Sequence, residues 1–540
     1  MSEPPTTASR RAGAFAFLRP SHRHTAFTAT LLLMASAFLS RIIGLVRVKY
    51  VSYLLGRSAA ADAFNAAFQL PDMISYLLIG GAASITFVTM LSRYRDEGRE
   101  AEGEEAMSVI LTTMLCVLGA AVLAAEFLAP LYVRALLRGF ESDPQKAALC
   151  VRLTRIVLPG QIFFLAGGVF GAVLIVRKQF NVQAVTPLIY NAGILLGGVL
   201  LSRFYGVSSL AIGALAGAFF GPFLLNAIYA RRVGMRFRPR LDFRNAGLHH
   251  WVRMSIPLML GVSLVSVDNW IINYFASHIG GAVSLLTYAK QLFTAPVALG
   301  QAAGIASLPF LASLWTKEDR APFARSVNDS VSRILAFSIL LSAWMIAMAR
   351  PAVDLIYRGG QFSSADASAM ALFFSIFSLS LCFWSAQALY ARAFYAAGDT
   401  LSPMIASTIV TVASLPVYNL LFHLYGATGL AVASDAGILI QTLTFAVMLH
   451  RRGMVSLAGL DGRELARSLG AAVVSCAALI ALRNAFPGRS GVLPSRISEA
   501  LLLILSVSVW LILVAGILRV SGSALPGQLL SRVRRRGVKV

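Results

Sequence analysis

The sequence predicts an all-α polytopic membrane protein of about fourteen transmembrane helices, arranged as two pseudo-symmetric six-helix lobes plus two extra C-terminal helices. Three observations predict it: a shortage of charge, the recurrence of long apolar runs, and an internal repeat. Of the 540 residues, 57% are hydrophobic and 13% are charged, with a mean hydropathy of +0.72. Soluble domains carry about 25% charged residues, so a soluble fold is excluded. The apolar runs reach roughly 18 residues or more, the length that crosses the hydrocarbon core as a helix. Strands of a membrane barrel would instead alternate in polarity over about ten residues.

The helical segments fall near 27–53, 63–92, 107–129, 150–176, 184–202, 207–230, 250–276, 283–312, 329–349, 367–390, 403–423, 427–450, 465–483 and 497–519. Segments 2 and 8 are long and contain Pro71 and Pro296, where bends are expected. The first segment follows a tail of 26 residues and runs past the cleavage-like Ala35-Ser36-Ala37. It therefore reads as a helix rather than a cleaved leader. The tail, with Pro4, Pro5, Arg10 and Arg11, has the composition of a disordered basic extension.

The net charge is +23. Thirty of the 47 Lys and Arg lie on the side that holds both termini and ten on the other, the rest falling within or at the edges of helices. This asymmetry places both termini in the cytoplasm. Basic residues scattered through short loops do not form a nucleic-acid footprint, so no nucleic-acid partner is expected. The four cysteines (Cys116, Cys150, Cys382, Cys476) sit in or beside different segments without a CxxC, which suggests neither zinc nor a disulfide framework.

The repeat has an offset near 220. Tyr205-Gly206, SSLAIGALAG and Arg231-Arg232 match Tyr425-Gly426, ATGLAVASDAG and Arg451-Arg452. Gln69-Leu70, Ser84 and Phe87 correspond to Gln291-Leu292, Ser307 and Phe310. Six helices, an even number, separate the copies, so both keep one orientation, as in transporters built from parallel repeats. The expected organisation is a basic tail (1–26), an N-lobe (27–232), a linker (233–249), a C-lobe (250–452), two further helices (453–519) and a basic tail (520–540).

Charges inside the apolar segments point to function, because each costs roughly 2.5–3.5 kcal/mol at a helix centre. Segment 1 carries Arg41, Arg47 and Lys49, and segment 8 carries Lys290, with few acidic neighbours in their own segments. Such cations suit an anionic phosphate or pyrophosphate group. Two other readings stay open: Lys49 snorkelling to the interface, and Arg41 or Arg47 paired with Asp62 or Asp72. Asp268, Asn419 and Asp435 form an acidic and amide set that suits a coupling Na+ or H+, or helix–helix hydrogen bonding. There is no GxxxxGK[ST] and no catalytic constellation, so neither nucleotide hydrolysis nor another enzymatic activity is expected, and no cofactor beyond a coupling Na+ or H+. Gly80-Gly81 and Gly167-Gly168 read as helix-packing sites.

The stretches SRIIGLVR (40–47), ADAFNAAFQLP (61–71), LPFLASL (308–314), LIYRGGQFSSADA (355–367) and FYAAGDTLSP (394–403) together resemble the MurJ (MviN) family of lipid II flippases. That family lies within the multidrug/oligosaccharidyl-lipid/polysaccharide exporter superfamily. The resemblance runs from about 27 to 520. It implies an inner-membrane transporter that carries undecaprenyl-pyrophosphate-linked peptidoglycan precursor outward by alternating access. It also implies that segments 13 and 14 form a groove for the lipid tail. The family's essential arginines fall on Arg41 and Arg47 and its aspartate on Asp62, with Lys290 where an arginine is common. Ser75, Tyr76 and Gly81 stand where the family often has charged residues. Alternatives are a flippase for another polyprenyl-linked saccharide and a drug or cation exporter of the same superfamily. The expected partners are a lipid-linked anionic substrate and membrane lipids, acting on a monomer.

Overall fold

In the computed structural model the described residues are 26–76, 82–177, 179–260, 264–316, 320–486, 495–523 and 525. The expectations for the tails before residue 26 and beyond 525, and for Gly80-Gly81, fall outside them. Within the described residues, helix occupies each of the expected segments. Eight of these helices are long and apolar enough to cross a membrane, or nine when one bent pair is taken as a single span. The only β pairing among the described residues is an isolated bridge between Gly359 and Phe362.

The chain divides into two compact units. Of the described residues, those up to 50 and those from 63 to 260 form the first, and 51–62 with those from 264 onward form the second. Helices α1 (Ala26–Leu55) and α2 (Ala59–Ala67) are thus divided between them, with 51–62, expected in the N-lobe, grouped with the second.

The first unit continues with α3 (Gln69–Ile74), α4 (Ala82–Asp96), α5 (Glu100–Leu136), α6 (Pro144–Val157) and α7 (Gly160–Val176). Then come α8 (Phe180–Tyr205), α9 (Ser208–Ala218), a π-helical stretch at Phe219–Leu225, α10 (Asn226–Arg232) and α11 (Ala246–Leu260). Pro71 sits in the short α3, which follows a break at Phe68. α6 starts at Pro144 because the Asp143 side chain accepts from the Lys146 N–H at 3.1 Å, and proline at the first position loses no helical hydrogen bond. Phe87, Met107, Ile110, Leu165, Val169 and Trp251 are buried together in one core drawn from α4, α5, α7 and α11. α8 and α9 meet along glycines: a Cβ on Gly197 would lie 2.5 Å from the Gly213 Cα. Small residues let two backbones approach where lipid supplies no hydrophobic drive. The π turn contains Pro222, whose missing N–H a wider helical turn accommodates.

The second unit contains α12 (Leu264–Ala276), α13 (Ala282–Thr316), α14 (Arg320–Ala347), α15 (Ala349–Ile356), α16 (Ser364–Leu379) and α17 (Leu381–Ala396). The rest are α18 (Leu401–Arg451), α19 (Gly462–Ala485) and α20 (Ser495–Val520). α13 is assigned as helix across Pro296 without interruption. A capping box, with Ser363 and Asp366 each accepting from the other's backbone N–H, starts α16. α18 holds two helices broken at Gly426, whose φ 58 and ψ −134 are not helical. Gly206, after α8, has φ 53 and ψ −130. These two glycines stand in the repeated Tyr-Gly pairs, so the sequence repeat carries one backbone conformation into both units. α19 packs on α14 around Leu340, Ala343, Ala471 and Ala472, and α20 joins through Trp344, which donates to Ser506 Oγ at 3.0 Å.

Candidate functional site

Two groups of ionisable side chains in the apolar helices bear on function, one within each unit. In the second unit the centre is Asp268 on α12, which is 1% exposed. Its carboxylate takes a salt bridge from Lys290 on α13. Tyr418 and Ser434, both on α18, donate their hydroxyls to it, Ser434 at 2.8 Å. The Lys290 ammonium also donates to Asn269 Oδ1 at 2.9 Å and lies 5.7 Å from the centre of the Phe377 ring. That ring face adds a cation–π attraction. Position 290 therefore differs from the uncompensated cation read from the sequence. Asp268 lies 22 residues earlier and on another helix, so inspection of segment 8 alone cannot show the pair. Burying two ions is compensated only when their remaining hydrogen-bonding capacity is met, and Tyr418, Ser434 and Asn269 supply much of it.

Asp435 follows Ser434 on α18 and stands beside the Ser380 hydroxyl, within electrostatic reach of both Asp268 and Lys290. Its Oδ1 is enclosed with no hydrogen-bond partner among the described residues. Asn419 is exposed, while its neighbour Tyr418 is fully buried. Successive helical residues differ by about 100° around the axis, so turning Tyr418 toward Asp268 turns Asn419 away. Tyr418 and Ser434 are the residues that sequence reasoning missed. The signal for Tyr418 was a hydroxyl on a long apolar segment, where a phenol normally finds a partner.

In the first unit Arg47 is half-buried on α1, and its charge acts on Asp72 of α3 and on Tyr190 of α8. The Asp72 side chain is exposed on α3. Of the partners weighed for the arginines of α1, Asp72 is within electrostatic reach of Arg47. Arg41, six residues earlier on α1, is exposed, and Lys49 is half-buried. Ser75, one of the departures from the family pattern, donates to Gln161 of α7.

Asp62 stands apart from both clusters. It is fully buried in the second unit, where its carboxylate accepts from the Gly281 N–H at 2.7 Å and the Ser284 N–H at 2.9 Å. These are N–H groups at the start of α13, so Asp62 caps that helix, with its charge at the favourable end of the dipole.

The family model described as lipid II flippase MurJ matches residues 51–495. A probable lipid II flippase MurJ of Vibrio cholerae is 25% identical over 441 residues, covering 79% of this chain and 83% of its own. Lipid II flippase MurJ of Burkholderia cenocepacia is 27% identical over 440 residues, covering 79% and 84%. Among solved structures, lipid II flippase MurJ in an inward closed conformation superposes with a TM-score of 0.74 at 21% identity, covering 91% of this chain and 99% of the other. An inward-facing multidrug resistance transporter of the MATE family, in the MOP superfamily, gives 0.63 at 12% identity, covering 79% and 98%.

Proposed function

Because this chain belongs to the lipid II flippase MurJ family, we propose that it moves lipid II from the cytoplasmic to the periplasmic leaflet of a bacterial inner membrane by alternating access. The observation that carries the substrate side is Arg47, a half-buried guanidinium on an apolar helix whose charge reaches Asp72 and Tyr190. An arriving diphosphate would compete with Asp72 for that guanidinium, giving a cation that exchanges one anion for another. Arg41, on the same helix and exposed, would extend the contact to a second phosphate oxygen. The lipid tail would lie along α19 and α20, where Val473, Ile504 and Ile512 remain 62%, 67% and 72% exposed. The cargo is moved without chemical conversion, by a monomer whose termini face the cytoplasm.

The coupling ion in this reading is a proton rather than sodium. The Asp268 carboxylate already holds an ammonium from its own chain, together with two hydroxyls. Asp435, facing Lys290, Asp268, Tyr418 and Cys382, is the carboxyl available to bind and release a proton. Transport in reconstituted vesicles should respond to an imposed pH gradient and lose that response in Asp435→Asn. A requirement for sodium at fixed pH would overturn this choice of ion.

The function itself is tested by depleting a bacterium's own flippase with this chain as its replacement. Growth without accumulation of lipid II on the inner leaflet is the expected result. Lysis, with the protein present in the membrane, would overturn it.

A further inference from the structure

A separate cavity of about 900 Å³ lies in the first unit, at the end of the hairpin formed by α5 and α6. Three arginines line it: Arg134 on α5, and Arg152 and Arg155 on α6. All three are exposed, and Glu141 is the acidic side chain in the lining. The apolar part of the wall includes Pro130, Val133, Val151 and Ile156. Positions 130, 133 and 134 share one face of α5, while 148, 151, 152 and 155 share one face of α6. Two facing helical stripes therefore build the groove, each carrying its arginines beside apolar residues.

The location is unusual for so much positive charge. The hairpin connects segments 3 and 4, on the side assigned to the periplasm by the charge count, where basic residues are otherwise sparse. Arg155 donates through Nε to the Glu126 carbonyl at 2.9 Å, and the Glu126 carboxylate is 4.0 Å away. This anchors the guanidinium at the edge of the apolar stretch of α5. Arg134 and Arg152 have no ion pair among the described residues. On the flank of α5, Phe127 and Leu131 are 80% and 61% exposed, which continues the apolar surface past the groove. None of the residues in this lining belongs to α1, α3, α8 or the Asp268 cluster.

We propose that the α5–α6 groove binds an anionic glycerophospholipid of the surrounding leaflet, with its phosphate among Arg134, Arg152 and Arg155 and an acyl chain along Val133, Val151 and Ile156. The mixed wall selects an amphiphile over a free anion, since a soluble phosphate would gain nothing from the apolar half. Net positive charge selects an anionic headgroup over a zwitterionic one.

Native mass spectrometry of the full chain tests this, with phosphatidylglycerol, phosphatidylcholine or inorganic phosphate added to the detergent-purified protein. Phosphatidylglycerol should be retained in preference to phosphatidylcholine, and inorganic phosphate should not displace it. Arg152→Gln with Arg155→Gln should weaken phosphatidylglycerol binding about thirtyfold. Both side chains are exposed, so the variant should keep the wild-type elution profile in phosphatidylcholine, with only a small thermal shift from the lost Arg155 contact to Glu126. Arg134→Gln provides an independent variant on the other helix, with a smaller loss in the same direction. Equal retention of the two lipids, displacement by inorganic phosphate, or an unchanged preference in both variants would overturn the assignment.

Discussion

Lys290 and Asp268 illustrate how little a single charged residue says about its own role. Each was legible as a functional candidate because an ion in an apolar segment needs a reason to be there. Their pairing was not legible, since the sequence does not tell which faces of α12, α13 and α18 meet. The same ambiguity put Asn419 forward in place of Tyr418, one position and about 100° away. A buried pair is costly to break from one side, so Lys290→Met should destabilise the protein by about 3–5 kcal/mol. Adding Asp268→Asn should recover much of that loss, as measured by thermal unfolding across a double-mutant cycle. Additive losses would show that the two groups do not interact. Arg47→Ala should abolish complementation with the protein still in the membrane, and growth at the wild-type rate would remove Arg47 from the mechanism. Outside the membrane, Asp399 pairs with Arg452 in the turn before α18. Burial raises its pKa, but hydrogen bonds from Ser402 and the Arg452 guanidinium outweigh burial and leave it below the ordinary 3.8. A lowered carboxyl stabilises above its unfolded value and loses that contribution as pH falls through the folded one. Asp399→Asn should therefore cost up to about 1 kcal/mol near pH 7, with solvent screening included. The difference from wild type should shrink as the pH is lowered below 3.8, read by thermal shift.

Among the elements, the repeat was the clearest feature of the sequence, because Tyr-Gly recurs with the same following pattern. What could not be read was why the glycine recurs. Gly206 and Gly426 share a positive φ with ψ near −130, a conformation essentially reserved for glycine. No atom lies within 4 Å of a Cβ at Gly206, and the Ile279 side chain is 3.4 Å from one at Gly426. The cost of alanine at either site is therefore mainly backbone strain, about 1–3 kcal/mol, and should be similar in both units. Thermal unfolding of Gly206→Ala and Gly426→Ala checks this, and a neutral effect at either site would show that the turn relaxes. Asp62 is the opposite case. The motif that carries it was legible, yet its placement as a cap for α13 depends on a contact more than 200 residues along the chain.

For the whole molecule, composition excluded a soluble fold, since so few charges over 540 residues leave no soluble alternative, and the length of the apolar runs then chose helices over a barrel. Orientation rests on the distribution of Lys and Arg, and is open to direct measurement. In a cysteine-free background, Ser142→Cys should react with an impermeant thiol reagent added outside cells. Arg244→Cys should react only after the membrane is permeabilised. The reverse pattern would invert the topology. The division of the chain at 51–62 has a practical consequence for anyone cutting this protein in two. A fragment opening at residue 261 would lack the carboxylate that holds the Gly281 and Ser284 amides, leaving α13 to fray at its start. Supplying the missing dozen residues as a peptide, or grafting them ahead of residue 261, should restore the thermal stability of that half.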